Sequence, residues 1–80
     1  MRHSEAFAEA QRRWGEVAAV RDRVIDHPLA RQYVVGIISN PERNNMLVYG
    51  EGPTWEAAFS EATERSDFLK PYLEDALQKV

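Results

Sequence analysis

Few residues in this chain are of the types that catalyse reactions or bind metals. His3 and His27 are far apart, and the absence of cysteine excludes disulfides, thiolate metal ligands and cysteine nucleophiles. General acid–base catalysis needs a titratable group with an oriented partner in a cleft, whereas Asp26 is only a sequence neighbour of His27. The acidic residues do not follow the spacing of a calcium loop. We therefore predict a non-enzymatic protein without a metal or another cofactor.

One short motif, Gly50-Glu51-Gly52, lies between a predicted strand and a predicted helix. Glycines at such a junction are typical of phosphate-binding turns, which also use a third glycine or a lysine. Neither is present here, and Glu51 adds a negative charge to the turn. We therefore interpret the glycines as residues that permit a tight connection between strand and helix.

Acidic residues dominate the second half of the chain. The formal net charge is −3, and residues 41–80 carry eight acids against four bases. Five of these acids lie in or just before the second predicted helix, and four of them are the candidate contacts: Glu51, Glu56, Glu64 and Asp67. A band of carboxylates on a helix can dock on the basic groove of a protein or nucleoprotein, where charge complementarity raises association rate and selectivity. The alternative is a solvated helix face that keeps the protein soluble.

Arg21 is a fifth candidate for the partner-binding surface. In a helix over residues 5–26 it falls in the apolar stripe, between Val17 and Val24. Charged side chains are rarely buried without a partner. Arg21 can therefore extend its charge to the edge of the stripe, pair with an acid of the second helix, or mark a binding face.

The pattern of apolar residues predicts an α+β fold in a single domain, residues 1–80, with the order α-β-β-α-α. The predicted elements are a helix over residues 5–26 that ends before Pro28, strands at 33–39 and 46–50, and helices at 55–69 and 72–79 that Pro71 separates. The last helix is predicted to bury Tyr72, Leu73, Ala76 and Leu77. Trp14 and Trp55 lie centrally on the apolar stripes of the two long helices, and we predict that they share one core.

The predicted β-hairpin is apolar on both faces. Val35 and Ile37 would point to one side, and Val34 and Ile38 to the other. An isolated two-stranded sheet is marginal in water, so both faces need a cover. Either the three helices wrap the hairpin, or a second chain extends or covers it, which leaves a homodimer through the hairpin as an open alternative.

The segment from Val48 to Phe59, with its strand, glycine turn and helix, resembles the HicB-type antitoxin fold and, more loosely, double-stranded-RNA-binding domains. The RNA-binding domains carry lysines at the start of this helix, where this chain has Trp55 and Glu56. No third strand is predicted. The resemblance implies an antitoxin-like or nucleic-acid-associated regulator that acts as a dimer.

The whole chain is similar in type to the small, acidic proteins that phages use to inhibit host machinery, anti-CRISPR proteins among them. That likeness implies an inhibitor or regulator that binds a macromolecular partner, and it is the function we expect first. Direct binding to nucleic acid is not expected, because the chain has no basic patch. We expect a cytoplasmic protein without membrane contact, since no apolar run approaches the roughly 20 residues that span a bilayer and no secretory signal follows Met1.

Overall fold

A computed structural model of the chain describes residues 1–24, 31–40, 42 and 45–78. It confirms the α+β class. The elements are α1 (His3–Trp14), a 3-10 turn (Gly15–Val17), β1 (Ala18–Val24), β2 (Arg31–Asn40), β3 (Asn45–Gly52), α2 (Trp55–Glu64) and α3 (Ser66–Gln78). The predicted hairpin corresponds to β2 and β3. A strand that we did not predict precedes it, so the order is α-β-β-β-α-α.

The first predicted helix is wrong beyond Trp14. Gly15 follows with φ 71° and ψ −148°, a conformation at positive φ that glycine adopts without the steric cost that a Cβ atom imposes. The chain then becomes extended, and Val20 and Arg21 point to opposite faces of a sheet instead of lying along one helix. The predicted helix end at residues 25–28 lies outside the described residues.

The three strands form one antiparallel sheet in the order β1-β2-β3. Ala18 pairs with Ile37 at one end of the β1–β2 ladder, and Val24 pairs with Arg31 at the other. In the β2–β3 ladder Val35 pairs with Gly50 and Gly36 with Val48, which leaves one extra residue in β3. This bulge lets Tyr49 and Gly50 both belong to the side of the sheet that faces the helices.

The hydrophobic core lies on one side of the sheet. All three helices contribute to a single cluster with that side, and the residues of the cluster are Ala6, Ala10, Trp14, Val17, Ala18, Val20, Val35, Ile37, Tyr49, Trp55, Ala58, Phe59, Ala62, Leu69 and Ala76. Trp14 and Trp55 are only 7% and 5% exposed to solvent, and both are members of this cluster. The prediction that they share one core is confirmed. The helices therefore do not wrap the hairpin, because they all pack on the same side.

The boundary between the last two helices also differs from the prediction. The α2 helix ends at Glu64, and α3 runs without interruption through Pro71. At the junction the Ser66 hydroxyl donates to the Thr63 carbonyl at 2.9 Å, and a guanidinium nitrogen of Arg65 donates to the Tyr49 carbonyl at 3.3 Å. Pro71 removes one helical hydrogen bond, but it lies on an exposed stretch of α3 where water can replace it.

The glycines of the Gly50-Glu51-Gly52 motif permit close contact between β3 and α2. A Cβ atom on Gly50 would overlap the carbonyl oxygen of Ala58 and lie 2.7 Å from the Ala62 nitrogen. One on Gly52 would lie 2.7 Å from the Ala57 Cβ. These glycines allow the strand and the helix backbones to touch, which is a stricter requirement than the tight turn that we predicted.

We expect Trp14→Ala and Trp55→Ala each to destabilise the fold severely. Trp14 packs on Tyr49 and Phe59, and Trp55 packs on Tyr33 with ring centroids 4.7 Å apart. Truncating a buried Trp costs about 3–5 kcal/mol, which is a large share of the 5–15 kcal/mol that stabilises a typical domain. Thermal unfolding followed by circular dichroism measures the loss. The more exposed Phe7 serves as the control, and Phe7→Ala should lose far less.

Gly50→Ala should be destabilising although it adds a single methyl group. Overpacking of a tight contact typically costs about 1–3 kcal/mol, and here the obstacle is helix backbone, which cannot rotate away. Urea unfolding of Gly50→Ala and of the exposed control Ser60→Ala gives the two free energies. Equal stability of both variants and the parent would show that α2 can move away from β3 without cost.

Candidate partner-binding surfaces

Of His3, Asp26 and His27, the residues considered for catalysis, the structure describes only His3. The imidazole of His3 packs edge-on against the Trp55 ring at 5.7 Å, and His27 lies outside the described residues. Within residues 1–24, 31–40 and 45–78, no group of three or more histidine and carboxylate side chains is arranged to hold a metal ion. Across the same residues no helix is long and apolar enough to cross a bilayer.

An open groove of about 590 Å³ lies between α1 and the α2–α3 pair. Its residues include Trp14, Tyr49 and Leu73, and charged side chains Arg13, Asp67 and Lys70. Arg13 is already engaged, since it donates to the Thr63 hydroxyl at 3.0 Å and its guanidinium lies 4.8 Å from the centroid of the Phe59 ring. Arg12, the other arginine of the lining, and Arg13 both donate to Glu9, and Asp67 offsets the remaining cation, Lys70.

A strong electrostatic interaction involves Glu9, which the sequence predicts to pair with Arg13 but which is not among the candidate site residues. Glu9 accepts hydrogen bonds from Arg12 Nε and Arg13 Nε, both at 2.9 Å. The bond from Arg12, followed by the one from Arg13, lowers the pKa of the Glu9 carboxyl to about 2. The spacing of Glu9 and Arg13 by four residues was the only sequence signal for this pair. The arrangement fixes Arg13 so that it can reach from α1 to α2.

The structure does not place the four predicted acids on one helix face. Glu56 begins the solvent side of α2 and lies 3.4 Å from the N-terminal ammonium group of Met1. A hydrogen bond from its own backbone amide, and then this ammonium, lower the pKa of Glu56. Asp67 belongs to α3, because the helix break at Arg65 separates it from α2. The prediction that Glu56 and Asp67 lie on one face of a single continuous helix is therefore wrong.

Glu64 and Asp67 remain together at the junction of α2 and α3, and both are exposed. Beside them lies a surface that we call the α3 aromatic face, formed by Phe68 and Tyr72, which are one helical turn apart. Phe68 is 72% exposed and Tyr72 is 53% exposed. The prediction that Tyr72 and Leu77 are buried is wrong, because α3 is one continuous helix whose inward side carries Leu69, Leu73 and Ala76.

Glu51 and Arg21 lie on the side of the sheet away from the helices. Both are paired with Val34 in the strand register, Arg21 from β1 and Glu51 from β3. Arg21 is exposed on a strand, so its predicted position in a helical stripe is wrong. In the part of the chain that the structure describes, it forms no ion pair with an acid of α2. On the same side of the sheet, Arg23 Nη2 lies 4.0 Å from Glu51 Oε2.

Acidic pH should lower the stability of the fold, in part because Glu9 becomes protonated. Its pKa is depressed in the folded state relative to about 4.3 in an unfolded chain, so its contribution is complete above that value and is lost as pH falls toward 2. Glu9→Gln removes this contribution. We therefore expect a smaller drop in melting temperature between pH 5 and pH 2 in Glu9→Gln than in the parent. The exposed control Glu16→Gln should keep the parental drop, and identical profiles for all three proteins would contradict the assignment.

The chain matches no protein-family model, no curated protein and no solved structure. The resemblance of the segment from Val48 to Phe59 to HicB-type antitoxins and RNA-binding domains therefore stays a prediction. The third strand that the sequence pattern did not predict is present as β1. The start of α2 still differs from the RNA-binding pattern, because Trp55 is buried in the core and Glu56 is the first exposed side chain of the helix.

Proposed function

We propose that this protein is a non-enzymatic inhibitor or regulator that binds another protein through the outer surface of its last helices. The observation that carries the proposal is the exposure of Phe68 and Tyr72, which are 72% and 53% accessible although every other described Phe, Tyr and Trp ring is more buried. Two large rings one turn apart on a helix form a continuous apolar strip. A partner can cover both at once.

Covering the α3 aromatic face supplies a substantial free energy. Complete burial of a Phe side chain is worth about 1.5–3 kcal/mol, and tyrosine is among the residues that contribute most at protein interfaces. The Tyr72 ring adds apolar area while its hydroxyl can form a hydrogen bond at the rim. The helix fixes both side chains in advance, so little conformational entropy is lost on binding.

Carboxylates surround the aromatic strip and define the chemistry of the partner. Asp67 precedes Phe68, Glu64 ends α2, and Asp75 is one turn beyond Tyr72 on the same side of α3. A protein with an apolar pocket bordered by lysines or arginines complements this arrangement. Opposite charges at the rim accelerate association and reject partners of the wrong charge. This surface contains two of the acids that the sequence indicated, Glu64 and Asp67.

A protein partner is favoured over nucleic acid by the sign of the charge at this surface. Phosphates are recognised by lysine and arginine, and each neutralised phosphate contributes to affinity. Here the exposed rings are bordered by carboxylates, and the net charge of the chain is −3. The alternative, an antitoxin-like or nucleic-acid-associated dimeric regulator, predicts salt-sensitive binding to duplex RNA or DNA.

We expect the double substitution Phe68→Ala with Tyr72→Ala to abolish partner capture while the fold remains intact. Removing two interface residues of this kind costs 2 kcal/mol or more, which corresponds to a loss of affinity of about thirtyfold or more. The partner is captured on immobilised protein from extracts of the source cell and its affinity is then measured by calorimetry. Phe7→Ala, an exposed aromatic of α1, is the matched control and should bind like the parent.

The acidic rim is tested in the same assay with Glu64→Lys and Asp67→Lys together, and with Glu16→Lys as the control for charge reversal elsewhere. Only the rim variant should bind more weakly, and parental binding should weaken as salt rises, because exposed charges are screened. Full affinity in both the aromatic and the rim variants would contradict this surface. Tight binding to a nucleic-acid duplex without a protein partner would favour the alternative function.

A further inference from the structure

We call the side of the sheet that none of the described helices covers the open face. Its central apolar side chains are Val34, Ile38, Met46 and Val48, and none of them belongs to the core cluster on the helical side. Val34 is only 5% exposed, while the other three are half-buried. A shallow hollow of about 280 Å³ lies over Val34, between the side chains of β1 and β3.

Two opposite charges of the open face lie in one row across the strands, and a second arginine, Arg23, lies two residues from Arg21 on the same side of β1. Arg21 on β1 pairs with Val34 on β2, and Val34 pairs with Glu51 on β3. The row therefore reads basic, apolar, acidic from one edge of the sheet to the other. Arg21 has no hydrogen bond or ion pair in the described part of the chain, and the contact of Glu51 with Arg23 is long, at 4.0 Å.

We propose that a second copy of this chain packs on the open face, with the two sheets related by a two-fold axis parallel to the strands. This axis places β1 of one copy over β3 of the other and leaves each position along the strand at the same level. Arg21 then faces the partner's Glu51, and the half-buried apolar side chains around Val34 face those of the partner. Two sheets pack face to face at about 10 Å with nearly aligned strands.

The charge row selects this orientation over the other two-fold arrangement of the sheets. The other two-fold axis also lies midway between the two sheets but runs perpendicular to the strands. It would stack β1 on β1, and Arg21 would face the partner's Arg21. Like charges opposite each other are unfavourable. With the parallel axis, both ends of the row meet opposite charges, and the half-buried side chains of Ile38, Met46 and Val48 lose exposure to water on both copies.

A three-stranded face is smaller than a standard interface, which buries about 800 Å² on each partner. The dimer should therefore form reversibly, and association has to be followed over a wide concentration range. Analytical ultracentrifugation of the full chain from about 10 µM to about 1 mM is suitable. We expect the parent protein to shift from monomer to dimer within this range, and a parent that stays monomeric throughout would overturn the proposal.

Charge exchange identifies the contact. Arg21→Glu and Glu51→Arg should each be monomeric, because each places like charges at both ends of the row. The double variant Arg21→Glu with Glu51→Arg should dimerise again. An equimolar mixture of the two single variants should also form heterodimers, since both contacts between the unlike copies then have opposite signs.

Lys70→Glu is the matched control, because it makes the same charge change on the helical side and should dimerise like the parent. Circular dichroism and thermal unfolding establish that every variant is folded. Dimers that persist in both single variants, or folded single variants whose mixture does not associate, would overturn the proposal. Phe68→Ala with Tyr72→Ala should leave the dimer intact, so a failure of the open face and a failure of the α3 aromatic face are distinguishable.

Discussion

The rest of the structure depends on the backbone contact between β3 and α2. Gly50 and Gly52 leave no side chain between the strand and the helix, so α2 lies against the sheet at a distance that any Cβ would prevent. This contact brings Trp55 to Tyr33 and Phe59 to Trp14. The same proximity lets Arg65, at the end of α2, donate to the Tyr49 carbonyl of β3. The direction of α3, and therefore the exposure of its aromatic face, follows from where α2 ends.

Tyr49 joins the three parts of the helical layer. Its ring packs edge-on against Trp14 of α1 at 5.0 Å, and its hydroxyl donates to the Leu69 carbonyl of α3 at 3.4 Å. Burial raises the pKa of this hydroxyl to about 12, so it remains a donor at all physiological pH values. The β3 bulge turns Tyr49 toward the helices together with Gly50, and one irregularity in the ladder thus serves both the aromatic core and the close helix contact.

Sequence patterns predicted the helices and strands whose apolar residues follow one clear period. They failed where a segment fits the helical period and the strand period equally well. The strands around Val35 and Val48 and the burial of Trp14 and Trp55 followed from alternation and from helical spacing. The segment Ala18–Val24 is only seven residues long, and over so few residues apolar side chains at Val20 and Val24 fit a helix as well as a strand. Gly15 was the available signal for the boundary, since glycine in a helix interior is unfavourable and glycine after its end is favourable.

The candidate surfaces were less predictable than the fold, because they depend on strand register and on the helix junction. Nothing in local sequence brings Arg21 and Glu51 into one row, since their relation passes through Val34 and arises only when β1 and β3 pair with the same strand. The exposure of Phe68 and Tyr72 likewise depends on Leu69 and Ala76 being the inward residues of one continuous helix. Composition indicated an acidic interaction protein, but the acids separate onto both sides of the sheet.

The one-sided packing of the helices gives the two proposed surfaces opposite directions. The α3 aromatic face belongs to the helical layer, and the open face belongs to the other side of the sheet. If two copies stack through their open faces, both aromatic faces point outward, so the dimer presents two identical binding surfaces. A partner with two docking points can engage both sites of the dimer at once, and its avidity is then well above the affinity of one site. A partner with a single docking point gains no avidity from the dimer. The proposed dimer would therefore couple oligomeric state to partner geometry through the sheet, although neither surface contacts the other.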